Sequence, residues 1–252
     1  MRISAAVRVG LVVGAFLDAS AVAGAQRGSG DGFLFAAPRV NLTFHGGVAQ
    51  PLARSDLFSF TTDELTLGRS DFRSGNFGLD LATRLSPRTE LVIGFDWSRS
   101  DARSEFRDWV DNNNLPIEQS TFFSRTPFTV NLRYFLADRG QQVGSLAWIP
   151  ARVVPFVGVG AGLIRYQFEQ AGDFIDTGTL NVYADRLTAE GWSSALQASA
   201  GAQWNLNQRL MLTGEVRYLN GSGDPGRPSG DFVGYKLDLS SVTTLLGITL
   251  RL

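Results

Sequence analysis

Leu210-Met211-Leu212-Thr213-Gly214-Glu215-Val216-Arg217-Tyr218 alternates from end to end. Leu210, Leu212, Gly214, Val216 and Tyr218 fall on one parity; Met211, Thr213, Glu215 and Arg217 fall on the other. A period of two is a β-strand, with each parity on its own face. An acid and a base therefore share the face opposite an apolar one. In a water-soluble sandwich or barrel the apolar face points inward and the charges meet water. In a membrane-spanning barrel the arrangement inverts: the apolar face meets lipid and the charges pair inside. This stretch fits both arrangements, and the chain around it decides.

The same alternation recurs seven more times. Over 39–48, Val40, Leu42, Phe44 and Val48 oppose Asn41, Thr43 and His45. Over 76–85, Phe77, Leu79, Leu81 and Leu85 oppose Asn76, Asp80 and Arg84, and Ser86-Pro87-Arg88 turns the chain. Glu90 to Ser98 sets Leu91, Ile93, Phe95 and Trp97 against Glu90 and Asp96. Phe128 to Leu136 sets Val130, Leu132 and Tyr134 against Asn131 and Arg133. Further strands are expected over 153–166, 194–206 and from about Val242 to Leu252, making eight. Before the last strand, Tyr235 to Leu239 carries its apolar residues on the wrong parity. Either a bulge near Ser240 restores the phase or the strand starts later.

Three features turn the apolar face outward. Joins 2–3 and 6–7 are a few residues and 4–5 is intermediate, whereas 50–74, 99–125, 167–191 and 220–234 read as long polar connections. Short turns at one end and long loops at the other are the pattern of an outer-membrane barrel. The mid-strand residues of the other face are polar: Asn41, Asp80, Asp96, Asn131, Gln197, Glu215. An eight-stranded barrel has room inside only for side chains, and Phe77, Phe95, Trp97, Phe128 and Trp204 pointing inward would crowd it. Finally, Trp97, Tyr134, Trp204 and Tyr218 lie near strand ends, where an interfacial aromatic girdle belongs. The expected fold is all-β, an eight-stranded antiparallel up-and-down transmembrane β-barrel.

Composition agrees. A length of 252 residues suits one all-β domain, and a net charge of -1 lacks the basic footprint of a nucleic-acid binder. There is no cysteine, which excludes disulfides and thiolate metal sites. Arg2 and Arg8, the apolar run Val9–Leu17 and Ala23-Gly24-Ala25 make a signal peptide over 1–25, with cleavage expected before Gln26. The apolar run is far shorter than the ~20 residues of a spanning helix. Residues 26–252 are the barrel domain.

In Pro155-Phe156-Val157-Gly158-Val159-Gly160-Ala161-Gly162, Glu215-Val216-Arg217-Tyr218 and the closing Leu246-Gly247-Ile248-Thr249-Leu250-Arg251-Leu252, the chain resembles the small outer-membrane barrels: the OmpA transmembrane domain, OmpX and OmpW. The resemblance covers nearly the whole mature chain as an architectural pattern. It implies a Gram-negative outer-membrane location, insertion by the barrel assembly machinery, and contact with outer-membrane lipid and lipopolysaccharide. One departure is the end: such barrels usually finish in Phe, and this chain finishes in Leu252.

Asp80, Arg84, Glu90, Asp96, Arg133, Glu215, Arg217 and Arg251 are expected to face inward as a lumen charge network. Buried charges persist when paired. The expected role is structural or surface-interacting, with a side-chain-filled polar lumen and the long loops meeting lipopolysaccharide, host molecules or neighbouring proteins. The alternative is a narrow channel or lateral path for small or apolar solutes, with the same charges as its constriction. A lipid A-modifying enzyme is more remote. His45 is the sole histidine, no His-x-Ser spacing accompanies it, and Ser55-Asp56 and Ser70-Asp71 lie in the first connection. No catalytic set, cofactor or metal site is expected, since Asp108 and Asp111 lack a calcium-loop spacing. The protein is expected to be a monomer. With its last strand at the end of the sequence, wall anchoring through a following peptidoglycan-binding domain is not expected.

Overall fold

The computed structural model describes residues 34, 36–111, 113–144, 147–176, 178–179, 181–226, 231–232 and 234–252. The expected signal peptide lies outside them. Eight long strands form one antiparallel ring: β1 (Val40–Pro51), β2 (Ser74–Ser86), β3 (Thr89–Val110), β4 (Pro116–Phe135), β5 (Val153–Ile175), β6 (Val182–Asn205), β7 (Leu210–Gly223) and β8 (Ser241–Arg251). Each pairs with its sequence neighbours. The ring closes because β1 pairs with β8 as well as β2, from Asn41–Arg251 to Pro51–Ser241. The fold is an eight-stranded up-and-down barrel, and closure leaves no edge through that zone.

Inside and outside follow the parity of the opening stretch. Val216 and Tyr218 are exposed on the outer wall, and Glu215 and Arg217 are buried inside. The outer face is apolar over a belt of nine to eleven residues per strand, bounded toward the loop end by Phe77, Trp97, Phe128, Leu163 and Tyr218. A tilted strand needs about that length to cross a bilayer. Of the four girdle residues, Tyr134 and Trp204 stand on the turn-end margin and Trp97 and Tyr218 on the loop-end margin, all exposed.

The strands do not stop at the belt. β3 to β6 run to 20–24 residues, so 99–125 and 167–191 are mostly strand, and the strand pairs end in the backbone hydrogen bonds Asp111 to Leu115 and Asp176 to Asn181. The long polar loops expected there are therefore replaced by a four-stranded extension. At ~3.3 Å per residue each strand measures roughly 75 Å, about twice what the belt uses. Above the belt the polarity of the two faces reverses. Arg99, Asp101, Arg103, Glu105 and Arg107 face outward on β3, while Ile164, Tyr166 and Phe168 face inward on β5.

The other half of the upper wall is supplied by the β1–β2 and β7–β8 connections. The first contains helix α1 (Asp56–Glu64) and a single 3₁₀ turn, Arg69–Phe72. Nine residues make a marginal helix alone; this one is held by burying Leu57, Phe58 and Thr61 against the extension. Phe58 meets Phe72, Phe123 and Phe168 edge-on, with ring centroids 4.8, 5.4 and 5.8 Å apart. Leu237 and Leu239, from the other connection, complete this apolar plug. Their parity is explained by that burial: β8 begins at Ser241, with no bulge needed.

At the turn end the β4–β5 connection forms a small hairpin, Gly140–Val143 with Ala147–Pro150. Leu34 adds to its edge through two backbone hydrogen bonds with Trp148.

Candidate functional site: the barrel lumen

The lumen of the belt zone is polar because each strand delivers its second parity there. The structure brings together six of the eight charged residues read from the sequence. Arg217 on β7 donates to Glu215 Oε1 at 3.0 Å, reaches across to Asp96 Oδ2 at 2.9 Å, and also donates to Asp80. Arg133 on β4 donates to Glu215 Oε2 at 3.1 Å and lies 3.7 Å from Asp80 and 3.9 Å from Glu90. One guanidinium thus ties β7 to β2 and β3 through the centre, and a second ties β4 to β7. Every member of this network is at most 7% exposed.

His45, on β1, belongs to the same cluster. Its Nε2 is 2.9 Å from Asp96 Oδ1 and its Nδ1 3.8 Å from Asp80. Gly78 makes this possible, because a Cβ there would overlap the imidazole and the Phe95 carbonyl. Toward the turn end Glu90 accepts from Asn41 at 2.7 Å and from Arg139 at 2.5 Å, while Thr43, Thr249 and Thr213 form a hydroxyl chain at 2.8 and 2.9 Å. Arg133 stacks 4.3 Å over Phe156, which with Phe135 and Val154 forms a small apolar floor.

Two of the eight stay outside. Arg84 is half-buried at the turn-end rim and donates to the Ser86 carbonyl. Arg251 sits at the same rim, bonded to Asn205 and to the Gln208 carbonyl, with its guanidinium 5.3 Å from the Trp148 ring. Strand parity sends both inward, but their depth leaves them below the network. Three interior residues were not in the charge list: His45, Arg125 and Arg139. Arg125 shares the parity of Thr129, Asn131 and Arg133 but falls in a stretch that reads as a loop, and Arg139 lies past the end of β4.

The lumen is polar in its lower part and apolar above. It closes over the ionic layer with the plug around Phe58, so the ion-pair network is confined to the belt zone and the interior above it is mainly apolar. The residues considered for a nucleophile–base set stay apart. His45 is inside the ionic layer; Ser55 accepts from the Asp238 backbone N–H at the α1 N-terminus, and Ser70 lies in the 3₁₀ turn. Asp111 is spent on its own turn, accepting from the Leu115 and Asn113 backbone N–H groups at 2.7 and 2.8 Å, which holds its carboxyl below the usual range.

No protein-family model matches this chain, and no curated protein does. Among solved structures it is similar in shape to small outer-membrane barrels. OprG of Pseudomonas aeruginosa is 11% identical, with 87% of this chain and 99% of that one covered, at a TM-score of 0.48. The Neisserial surface protein A is 10% identical, covering 84% and 97%, at 0.46. Ail of Yersinia pestis is 14% identical, covering 85% and 99%, at 0.39. What makes this chain a barrel is its own closed ring of hydrogen bonds, to which these distant likenesses add nothing.

Proposed function

We propose that this is an integral outer-membrane β-barrel, a non-enzymatic and non-conducting protein whose work is done by the sheet it raises above the bilayer. The observation that carries this reading is the closing of the interior at three successive levels. From the turn end upward come the Phe135–Phe156 floor, the ionic layer and the apolar plug. A conducting barrel keeps a wetted path, and here paired charges and packed rings occupy it. Residues 1–25 would direct export, and lipid, lipopolysaccharide and the barrel assembly machinery are the partners this reading implies. A monomer suffices, because the ring has no open edge in the belt. The alternating outer charges of β3 above Trp97 suit a hydrated surface that meets sugar, lipopolysaccharide or protein.

Planar-bilayer recording of the refolded chain tests the proposal. A quiet membrane is expected. Well-defined conductance steps that change when Arg133 or Glu215 is neutralised would overturn it and favour the channel reading.

A further inference from the structure

Between the ionic layer and the plug lies a polar level that neither the ion pairs nor the apolar packing uses. It holds a cavity of about 20 Å³, lined by side chains from almost every strand, among them Asn76, Ser98, Gln197, Ser241, Thr243 and Arg125. A space of that size takes one water-sized or slightly larger particle. Asp96 and Arg217 border it from below, but their charges are already spent on each other and on His45, Asp80 and Glu215.

Arg125 differs from them. It is 3% exposed, and the one hydrogen bond of its side chain among the described residues is from Nη1 to the Leu239 carbonyl at 3.1 Å. No described carboxylate lies within ion-pair distance; Asp238 and Asp96 act on it only from farther away. Its guanidinium is 5.4 Å from the Phe123 ring, at the underside of the plug. The buried charges agree with this local picture. The described interior buries five arginines (Arg125, Arg133, Arg139, Arg217, Arg251) and four carboxylates (Asp80, Glu90, Asp96, Glu215). Whatever the state of His45, positive charge is in excess, and Arg251 sits at the rim while Arg125 is sealed in. A buried cation without a paired counter-charge is costly, and the nearest carboxylates, Asp96 and Asp238, stay out of pairing reach.

We infer that the cavity beside Arg125 is a site for one small monovalent anion of the halide type, held by the guanidinium and the surrounding hydroxyl and amide donors. The hydroxyls of Ser98, Ser241 and Thr243 and the amides of Asn76 and Gln197 can each turn an N–H or O–H toward it. The space is small for sulfate or phosphate, and the neighbouring Asp96 disfavours a second negative charge. The ion completes the fold's charge balance and joins the ionic layer to the plug. This inference is independent of whether the protein conducts.

The test uses the full mature chain refolded in detergent. Denaturant unfolding is followed by gel mobility in sodium chloride, sodium bromide and sodium gluconate at equal ionic strength. With halide at ten times its dissociation constant, the unfolding equilibrium should fall roughly tenfold relative to gluconate. Arg125→Met should abolish that difference. Crystals grown in bromide should show an anomalous peak at hydrogen-bonding reach of the Arg125 guanidinium. Should Arg125→Met fail to fold, the bromide peak on the unaltered protein, together with loss of halide dependence in Thr243→Val, decides the matter. Identical unfolding in gluconate and chloride, or crystals in which the cavity holds water alone, would overturn the inference.

Discussion

The belt and the extension are built from the same strands, yet they are opposites. Within the belt β5 shows Val157, Val159 and Leu163 to the outside and keeps glycines within. Two residues further on, Arg165 points out and Ile164, Tyr166 and Phe168 point in. The backbone pleat runs on without a break, and the reversal lies in the side chains. The solvent on the outer face accounts for it. Acyl chains demand an apolar wall and leave the polar parity to the lumen, whereas water accepts the charges and drives the apolar parity to the centre. The pair Leu163-Ile164, adjacent and both apolar, marks where one regime hands over to the other. The interior is consequently two cores in series, one ionic and one apolar, and they should fail differently.

The largest effect is expected in the ionic core. Arg217→Met leaves Asp80, Asp96 and Glu215 facing one another without their shared cation, and losing one partner of a buried network costs about 3–5 kcal/mol. Urea titration of the refolded barrel should show that loss as a global shift of the midpoint. Phe58→Ala removes the ring at the centre of the plug, a change of about 3–5 kcal/mol for a packed core site. Here limited proteolysis should detect cutting within 52–73 while the heat-dependent gel shift of the belt is retained. If both regions loosen together, the two cores are a single cooperative unit and the comparison fails.

A charge placed on the outer wall sharpens the contrast. Leu132→Arg, at the mid-depth of the belt, should cost about 2–4 kcal/mol in lipid, and Val216→Arg, one outward residue from the Tyr218 margin, less. Ser124→Arg, on the outer face of the same β4 strand but in the extension, should change stability by less than about 0.5 kcal/mol. Equal costs measured in vesicles would mean that the belt has been drawn in the wrong place. The smallest effect belongs to the tip of the extension. The Leu115 and Asn113 amides lower the Asp111 carboxyl below 3.8, so its contribution is present above that value and disappears as pH falls through the lowered one. Amide-exchange protection at Asn113 and Leu115, relative to the intrinsic rate at each pH, should fall on acidification with no change in the belt, and Asp111→Asn should remove the dependence.

The belt was legible in the sequence because a period of two records a strand with one apolar side, and the eight-fold recurrence, the polar mid-strand residues and the aromatic strand ends turn that side outward. The eight strands, their order and the inward direction of Glu215 and Arg217 follow from it. The extension was hidden for a physical reason. Its outer parity is charged and its inner parity mixes Ser98, Ser100 and Ser104 with Phe106 and Phe123, so the text of 99–125 reads as loop although the ladder continues. Arg125 was missed with it, since its parity has meaning only once β4 is known to extend past Pro127. Helix α1 carried a signal in Leu57, Phe58, Thr61 and Leu65 at helical spacing, but nine residues among charges do not declare what they pack against. The ion pairs needed the cross-barrel distance between β7 and β2–β3, which no strand read singly contains.

The ladder between β1 and β8 is the one junction of the ring with no turn joining its strands. Both connections that build the plug begin or end at that junction, and they meet directly over it: Leu52 donates to the Ser240 carbonyl at 2.9 Å, the Arg54 N–H to Asp238 at 3.1 Å and the Asp238 N–H to Ser55 at 3.1 Å. The stopper of the cylinder is therefore also a clasp across its seam. A wall fastened in this way couples the opening of that one seam to the loss of its apolar heart. It also means that the top can be finished only after the first and last strands have found each other.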